Sequence, residues 1–410
     1  MVDTSSPTPA EPATDAADGP PGGTSDAPSG GLRRSPLHDA HTRAGARFAP
    51  FGGWTMPVEY AGGGTLAEHA AVRERVGLFD VSHLGTVLVR GAGSVGLLER
   101  ALSGRVGDLP DGRARYMLCL APDGGIVDDL IVYRVAADDL VLVPNASNAP
   151  AVVAALRAAA EPGDGPEHLA EVVDVHADVA VLAVQGPLSE EVMAAAGLPH
   201  GHDYLSLVTV PGPEGSTQDR TVVCRTGYTG ERGYEVLVPA GRAGELFDVL
   251  RRAVADRGGL PAGLGARDTL RTEMGYPLHG SDIGTDVSPV EAGLGFAVGW
   301  SKDAFVGRDA VIAVKESGPA RRAAGLLGTG RGVPRAGMSV HRLHGDGLGA
   351  RVGTTTSGTF SPTLRAGIAL ALLDTAAGVL PDEEVAVDVR GRPLRCVVTR
   401  PPFVPSHVRD

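Results

Sequence analysis

GGIVDDLIVYRV, residues 124–135, is the stretch around which the rest of the chain can be read. Asp123-Gly124-Gly125 marks a turn, because two glycines relieve the steric limits on φ. The run of Ile, Val, Leu and Tyr that follows reads as a buried strand. It pairs with Arg115 to Leu120 in a hairpin across Pro122–Gly125. Successive strand side chains point to opposite faces. Asp128 is therefore expected beside Ile126, Leu130 and Val132, and Asp129 beside Val127, Ile131 and Tyr133. This spacing argues against a paired-carboxylate dyad. A single carboxylate on an apolar face positions a cationic or protonating group, with burial raising its pKa and a positive partner lowering it. The plainer reading is a turn whose acids are solvated before the strand begins.

Working outward, Leu140 to Val143 is a further strand, and Val95 to Ser103 and Ala151 to Ala160 are helices, which together fit a split α/β sandwich. A second group of strands, Val179 to Val184, Thr221 to Cys224 and Tyr234 to Val238, alternates with helices over Ser189 to Ala196 and Arg242 to Asp256. The glycine-rich connection Thr226 to Glu235 contains a G-x-x-G pattern. No Lys-Ser/Thr follows it and no helix opens there, so it is not a phosphate loop. Glu235 falls on the face opposite Tyr234 and Val236. Turned into a pocket it would accept two hydrogen bonds from an amino-heterocycle; otherwise it faces solvent. Arg267 to Met274 reads as a helix ended by Gly275. Arg267 and Arg271 lie one turn apart, suited either to a carboxylate or planar acceptor or to a structural ion pair. Phe51 to Val58 reads as a loop in which Trp54 and Met56 line a pocket or pin the loop to the core. His83 reads as an ordinary satisfied hydrogen-bonder.

Composition shifts at Lys315 to Arg322, where a domain boundary is placed. Beyond it, Ala323 to Leu327, Ala350 to Thr355, Gly367 to Leu372 and Glu384 to Val389 are strands separated by Gly and Pro turns, as in a small antiparallel barrel or jelly roll. The fold class is α+β. Residues 1–33 contain no aromatic side chain and read as a disordered, dispensable tail. The expected organisation is this tail, a region over 34–314 built of two interleaved subdomains, and a barrel over 315–410.

A formal net charge of −12 disfavours nucleic acid and anionic membrane as partners. Cys119, Cys224 and Cys396 are far apart and indicate neither a zinc site nor a disulfide framework, so reduced cytoplasmic thiols are the simpler reading. There is no run of about 18 apolar residues that would span a membrane and no secretory signal pattern.

Several pieces, in order, resemble the aminomethyltransferases of the glycine cleavage system, the T-protein family: FGGWTMPVEY (51–60), GLFDVSHLG (77–85), GGIVDDLIVYR (124–134), VQGP (184–187), TGYTGERGYEV (226–236), GLGARDTLRTEMGYPLHG (263–280), SPVEAGLGFAV (288–298), TSGTFSPTL (356–364) and PFVP (402–405). They run from about Leu37 to Pro405. The resemblance implies a three-domain cloverleaf around a central tetrahydrofolate site. It implies transfer of the methylene of an aminomethyl group, carried on the lipoyl arm of H-protein, to tetrahydrofolate with release of ammonia. No metal and no flavin are implied. The essential aspartate is matched to Asp128, the pterin-recognising pair to Glu235 and Arg267, and further folate contacts to Met56, Tyr116, Asn145 and Tyr228.

The chain departs from the family pattern at Leu84, where Met is usual, at Met117, where Ser is common, and at His279, where Tyr is usual. Its Pro405-Ser-His-Val-Arg409 ending has no clear counterpart for a folate-contacting Tyr or Arg. A second reading is another folate-dependent methyl or methylene transferase or demethylase of the same fold. A third, non-catalytic, reading is the folate-binding protein of iron–sulfur cluster maintenance, but its K-G-C-Y-x-G-Q-E type motif is replaced here by TGYTGERGYE.

Overall fold

The structure is a computed structural model describing residues 31–160, 169–213, 216 and 219–410. Most of the expected tail, residues 1–30, lies outside the described residues. Its last part does not fit the expectation of disorder. Arg33–Arg34 pairs in parallel with Trp54 and Thr55, and the Arg33 guanidinium lies 4.3 Å from the centre of the Trp54 ring. Ser35 then donates to the buried Asp80 carboxylate. Arg33 and Arg34 are thus held against the Trp54 strand, inside the span read as tail and at its edge.

Two sheets share a central core. One has five strands in the order Arg113–Leu120, Ile126–Ala136, Asp139–Val143, Val87–Arg90, Glu171–Asp174. The other has six, in the order Leu207–Val210, Thr221–Cys224, Gly233–Pro239, Val179–Gln185, Gly77–Asp80, Leu260–Pro261. Tyr133 and Val141 of the first meet Ala183, Cys224 and Leu237 of the second, along with Ala266 and Leu270 of the helix Leu264–Met274. Outside this layer, the helices Ser94–Ala101 and Ala149–Ala159 cover the five-stranded sheet through Leu97, Leu98, Val152 and Leu156. The helix Ala240–Ala255 covers the six-stranded sheet through Phe247 and Leu250. Burial on both faces explains why these strands read as near-continuous apolar runs.

The hairpin expected around residue 124 is present, with one irregularity. Cys119 pairs with Asp128 but Leu120 pairs with Ile126, so Val127 is an extra, bulged residue. The bulge moves Ile126 off the face it was expected to share with Asp128. Ile126 packs with Leu118, Ile283 and Phe305, while Leu130 and Val132 pack under the helices. Gly125 is required here, since a Cβ would lie 1.9 Å from the Thr285 carbonyl oxygen.

The Phe51–Val58 segment is not a loop. Ala46–Phe51 and Trp54–Tyr60 form a hairpin closed by Gly52-Gly53 alone, with φ of 54° and 83°. Two successive positive-φ glycines make the tight turn that matches strand twist.

The C-terminal barrel is closed and antiparallel, in the order Arg321–Gly328, Ala366–Asp374, Gly347–Ser361, Ser339–His344, Glu384–Val389, Arg392–Thr399. The helix Arg308–Ser317 runs across the boundary placed at Lys315, and the first barrel strand begins at Arg321. Two buried networks join the barrel to the rest. In one, Arg271 donates to Asp268, Asp282 and Ser357. In the other, Glu273 accepts from Arg73 Nη2 at 2.7 Å, Ser361 Oγ at 2.5 Å and Thr363 Oγ1 at 3.0 Å.

These donors and the Arg73 and His69 charges outweigh burial and hold the Glu273 carboxyl down at about 2. The folded pKa is depressed, so the associated stability is present above the unfolded pKa and is lost as pH falls from about 4.5 through about 2. Glu273→Gln should therefore destabilise the protein by about 3–5 kcal/mol at pH 7. Denaturant unfolding at pH 7 and pH 3 checks this: the gap between variant and wild type should narrow at the lower pH, and a gap independent of pH would contradict it.

Candidate active site

The packing of the two sheets decides which carboxylate faces the central layer. Asp128 is fully buried on the helix-covered side, with Leu130 and Val132. Asp129 shares the side of Ile131 and Tyr133, which faces the six-stranded sheet. Its Oδ2 accepts a 2.9 Å hydrogen bond from the Tyr116 hydroxyl. The expectation that Asp128 looks into the site is therefore corrected: alternation holds, and Asp129 is the carboxylate on the central side.

The two carboxylates leave opposite faces of the strand, yet one amide bridges them. Asn145 stands just beyond the strand Asp139–Val143, and its Nδ2 lies 2.9 Å from both Asp128 Oδ1 and Asp129 Oδ1. Asp128 further accepts from the Asn145 backbone N–H at 2.9 Å and from Asn148 Nδ2 at 2.7 Å. Burial pushes the Asp128 carboxyl up to about 6 against these donors. Burial, and then the Asp128 charge, push Asp129 up to about 7. Strand alternation separates two side chains across a sheet but does not stop one amide at the strand end from touching both. That information lies in the Asn145 turn, distant in sequence.

Across the central layer, Glu235 is half-buried on the face opposite Tyr234 and Val236, as alternation predicts. One of its oxygens accepts from Thr226 Oγ1 at 2.5 Å, and Thr226 in turn contacts the Tyr133 hydroxyl at 2.9 Å. Arg267 and Arg271, one turn apart, have different fates. Arg271 is locked into the ion pairs with Asp268 and Asp282. Arg267 makes no ion pair among the described residues, and its guanidinium lies 4.6 Å from the Tyr228 ring centre. Burial lowers its pKa, with Glu235 and Tyr228 acting the other way. Tyr228 stacks on Tyr276 at 5.6 Å and gives its hydroxyl to the Pro277 carbonyl. Asp129, Tyr116, Glu235, Arg267 and Tyr228 are thus brought to one region, offering an acceptor, a cation and aromatic faces.

Met56 is placed differently. It is fully buried against Trp54, Ala146 and Leu264, in a small cluster that fastens the Asn145 turn to the helix Leu264–Met274. His83 is not the satisfied hydrogen-bonder expected. Its Nδ1 is buried without a hydrogen-bond partner among the described residues, and burial together with the Arg267 charge pushes its pKa down to about 3. Local pattern carries no sign of this, because the Arg267 charge that acts on His83 is distant in the chain. At the C-terminal end, Arg409 lies 5.3 Å from the Tyr204 ring centre. A separate cleft of about 810 Å³, lined by Glu190, His200, Arg232 and His407, contains none of Asp128, Tyr116, Asn145, Glu235, Arg267, Tyr228 or Met56.

Comparison with known proteins accounts for the arrangement. Residues 37–302 match the model of the GCVT N-terminal domain, and residues 321–405 match that of the glycine cleavage T-protein C-terminal barrel domain. The chain is 54% identical over 381 residues to an aminomethyltransferase of Mycobacterium avium, covering 92% of this chain and 98% of that protein. It is 52% identical over 379 residues to an aminomethyltransferase of Frankia alni, covering 92% and 99%. The crystal structure of glycine cleavage system aminomethyltransferase T from Bartonella henselae superimposes with a TM-score of 0.83 at 35% identity, covering 92% of this chain and all of that one. With both family domains matched in order and the barrel closed behind them, the chain belongs to the glycine cleavage T-protein family of aminomethyltransferases.

Proposed function

We propose that the region between the two sheets binds tetrahydrofolate as co-substrate, and that the aminomethyl donor arrives there on the lipoyl arm of H-protein. The observation that carries this reading is the half-buried Arg267, which makes no ion pair among the described residues and faces Tyr228 and the Glu235 side of the layer. A partly desolvated cation with no close ion pair carries a cost, and a ligand that supplies acceptors relieves it. Glu235, with lone pairs beyond the one used by Thr226, complements the N–H donors of a reduced pterin. Asp129 stands where positive charge develops as the aminomethyl group becomes iminium-like, and a fixed carboxylate there stabilises that charge and orients the accepting nitrogen. Tyr116 holds its orientation. Tyr228 supplies an aromatic wall, Asn145 braces the carboxylates, and Met56 acts by packing the turn that carries Asn145. No step needs a metal, a flavin or an enzyme nucleophile. Nucleic acid and membrane have no part in this reading, and the site of action is the cytoplasm. No helix among the described residues is long and apolar enough to cross a membrane.

The test is a single-turnover assay with purified chain, aminomethylated H-protein and tetrahydrofolate, read as methylenetetrahydrofolate and ammonia formed in equal amounts. Turnover of a small methylated amine in place of the H-protein adduct would favour the second reading, a relative acting on a different donor.

Glu235→Gln should weaken tetrahydrofolate binding more than it slows the bound reaction. The amide keeps one acceptor and loses the charge, and a hydrogen bond to a charged group is worth roughly 1.5–3 kcal/mol, about 10- to 100-fold in Kd. Calorimetric titration decides it: an unchanged Kd would make Glu235 an ordinary strand residue.

A further inference from the structure

Asp128 has the features of a catalytic carboxylate without the access. It is fully buried, it lies on the helix side of the sheet, and its oxygens are taken up by Asn145 N–H, Asn145 Nδ2 and Asn148 Nδ2. Asn145 Nδ2 carries two hydrogens and is within 3.0 Å of three oxygens: Asp128 Oδ1, Asp129 Oδ1 and the Asp129 carbonyl. The amide therefore cannot serve both carboxylates and the carbonyl equally.

Resting on the placement of Asp129 at the reacting atoms, we infer that Asp128 is a positioning residue that works through Asn145, fixing the Asp129 carboxylate and placing the proton shared by the pair on Asp129 rather than on itself.

The donor count sets the direction. Asp128 has two donors of its own, the Asn145 N–H and Asn148 Nδ2, and a share of the Asn145 amide, all of which favour its ionised form. Asp129 has the Tyr116 hydroxyl and a share of the Asn145 amide. Two close carboxylates cannot both ionise freely, so the less supported one keeps the proton. Other titratable groups around the pair are Tyr116 and Cys119 on the neighbouring strand, Tyr228 in the hairpin loop and His279 after the helix Leu264–Met274. The two tyrosines and the thiol are all raised by burial and stay neutral near pH 7. The basic form of Asp129 then grows as pH rises through neutrality, so the site exchanges a proton in the range where it works.

The experiment uses the full chain with 13C-labelled aspartate, following the Asp129 carboxyl by NMR against pH, alongside the pH–rate profile of single-turnover transfer from aminomethylated H-protein. Asp128→Asn should lower the Asp129 midpoint by about one pH unit, which is tenfold in proton affinity. It should move the rising limb of the rate profile by the same amount and reduce the plateau by less than about tenfold. Asn148→Ala removes a donor from Asp128 only, so the proton settles on Asp128 and the Asp129 midpoint falls in the same direction. This variant carries the test if Asp128→Asn does not fold. An Asp129 midpoint that stays in place in both variants overturns the inference, whatever happens to the plateau. A midpoint that moves while the rate profile does not upholds the inference and overturns the assignment of Asp129 to the reacting atoms.

Discussion

Asp129→Asn should cost on the order of 10²–10³ in the rate of aminomethyl transfer, the loss typical for one preorganised electrostatic group. The amide is nearly isosteric and keeps an acceptor for the Tyr116 hydroxyl, so the local fold should survive. What disappears is the negative charge and the ability to take a proton. Both matter most as the positive charge develops, so tetrahydrofolate binding should change far less than the rate. Assigning the role to Asp129 reverses the match made from sequence resemblance, which selected Asp128. The reason is geometric. Asp128 lies under the helix Ala149–Ala159 with Leu130 and Val132, whereas Asp129 lies with Tyr116, Ile131 and Tyr133 on the central face. Rates for both asparagine variants, set beside folate titrations, separate the two. A dead Asp128→Asn with an unshifted Asp129 midpoint and a fully active Asp129→Asn would restore the sequence-based match.

Much of this architecture was legible in the residues because burial on two faces leaves a strong periodic signal. The strand Glu384–Val389 is found where the sequence places it, and the hairpin around residue 124 is extended by only a residue or two at its ends. The alternation argument placed Glu235 opposite Tyr234 correctly. It failed at Ile126 because a bulge adds one residue to one strand, and nothing in Ile-Val-Asp-Asp announces which residue will be unpaired. The same limit applies to the aspartates. Alternation says they part, while the choice of which face is central depends on how two sheets pack. Local pattern also misread Phe51 to Val58, where Gly52-Gly53 was taken as loop character instead of a two-residue hairpin turn. The distinct roles of Arg267 and Arg271 were beyond reach for a similar reason. They sit one turn apart, and only the positions of Asp268, Asp282 and Tyr228 tell the paired arginine from the unpaired one.

That difference gives the second large expectation. Arg267→Met should raise the Kd for tetrahydrofolate by on the order of 10²–10³, because truncating one partner of a buried, hydrogen-bonded charge contact costs about 2–5 kcal/mol. The same change should leave stability of the free protein close to wild type. In the free protein the guanidinium is partly desolvated and has no ion-pair partner among the described residues, and burial is the leading cause that depresses its pKa. Removing such a charge recovers its desolvation cost, which offsets the loss of the cation–π contact with Tyr228, worth about 0.5–2 kcal/mol. Methionine keeps most of the stem volume against the aromatic ring. Arg271→Met is the contrasting variant. It strips the counter-charge from Asp268 and Asp282 and should destabilise the protein by about 3–5 kcal/mol, the cost of breaking a buried pair. Thermal unfolding of both variants, with calorimetric folate titration of Arg267→Met, checks the pair of outcomes. A large drop in stability for Arg267→Met with unchanged folate affinity would make Arg267 a structural residue like its neighbour one turn away, and would remove the main support for a folate site between the sheets.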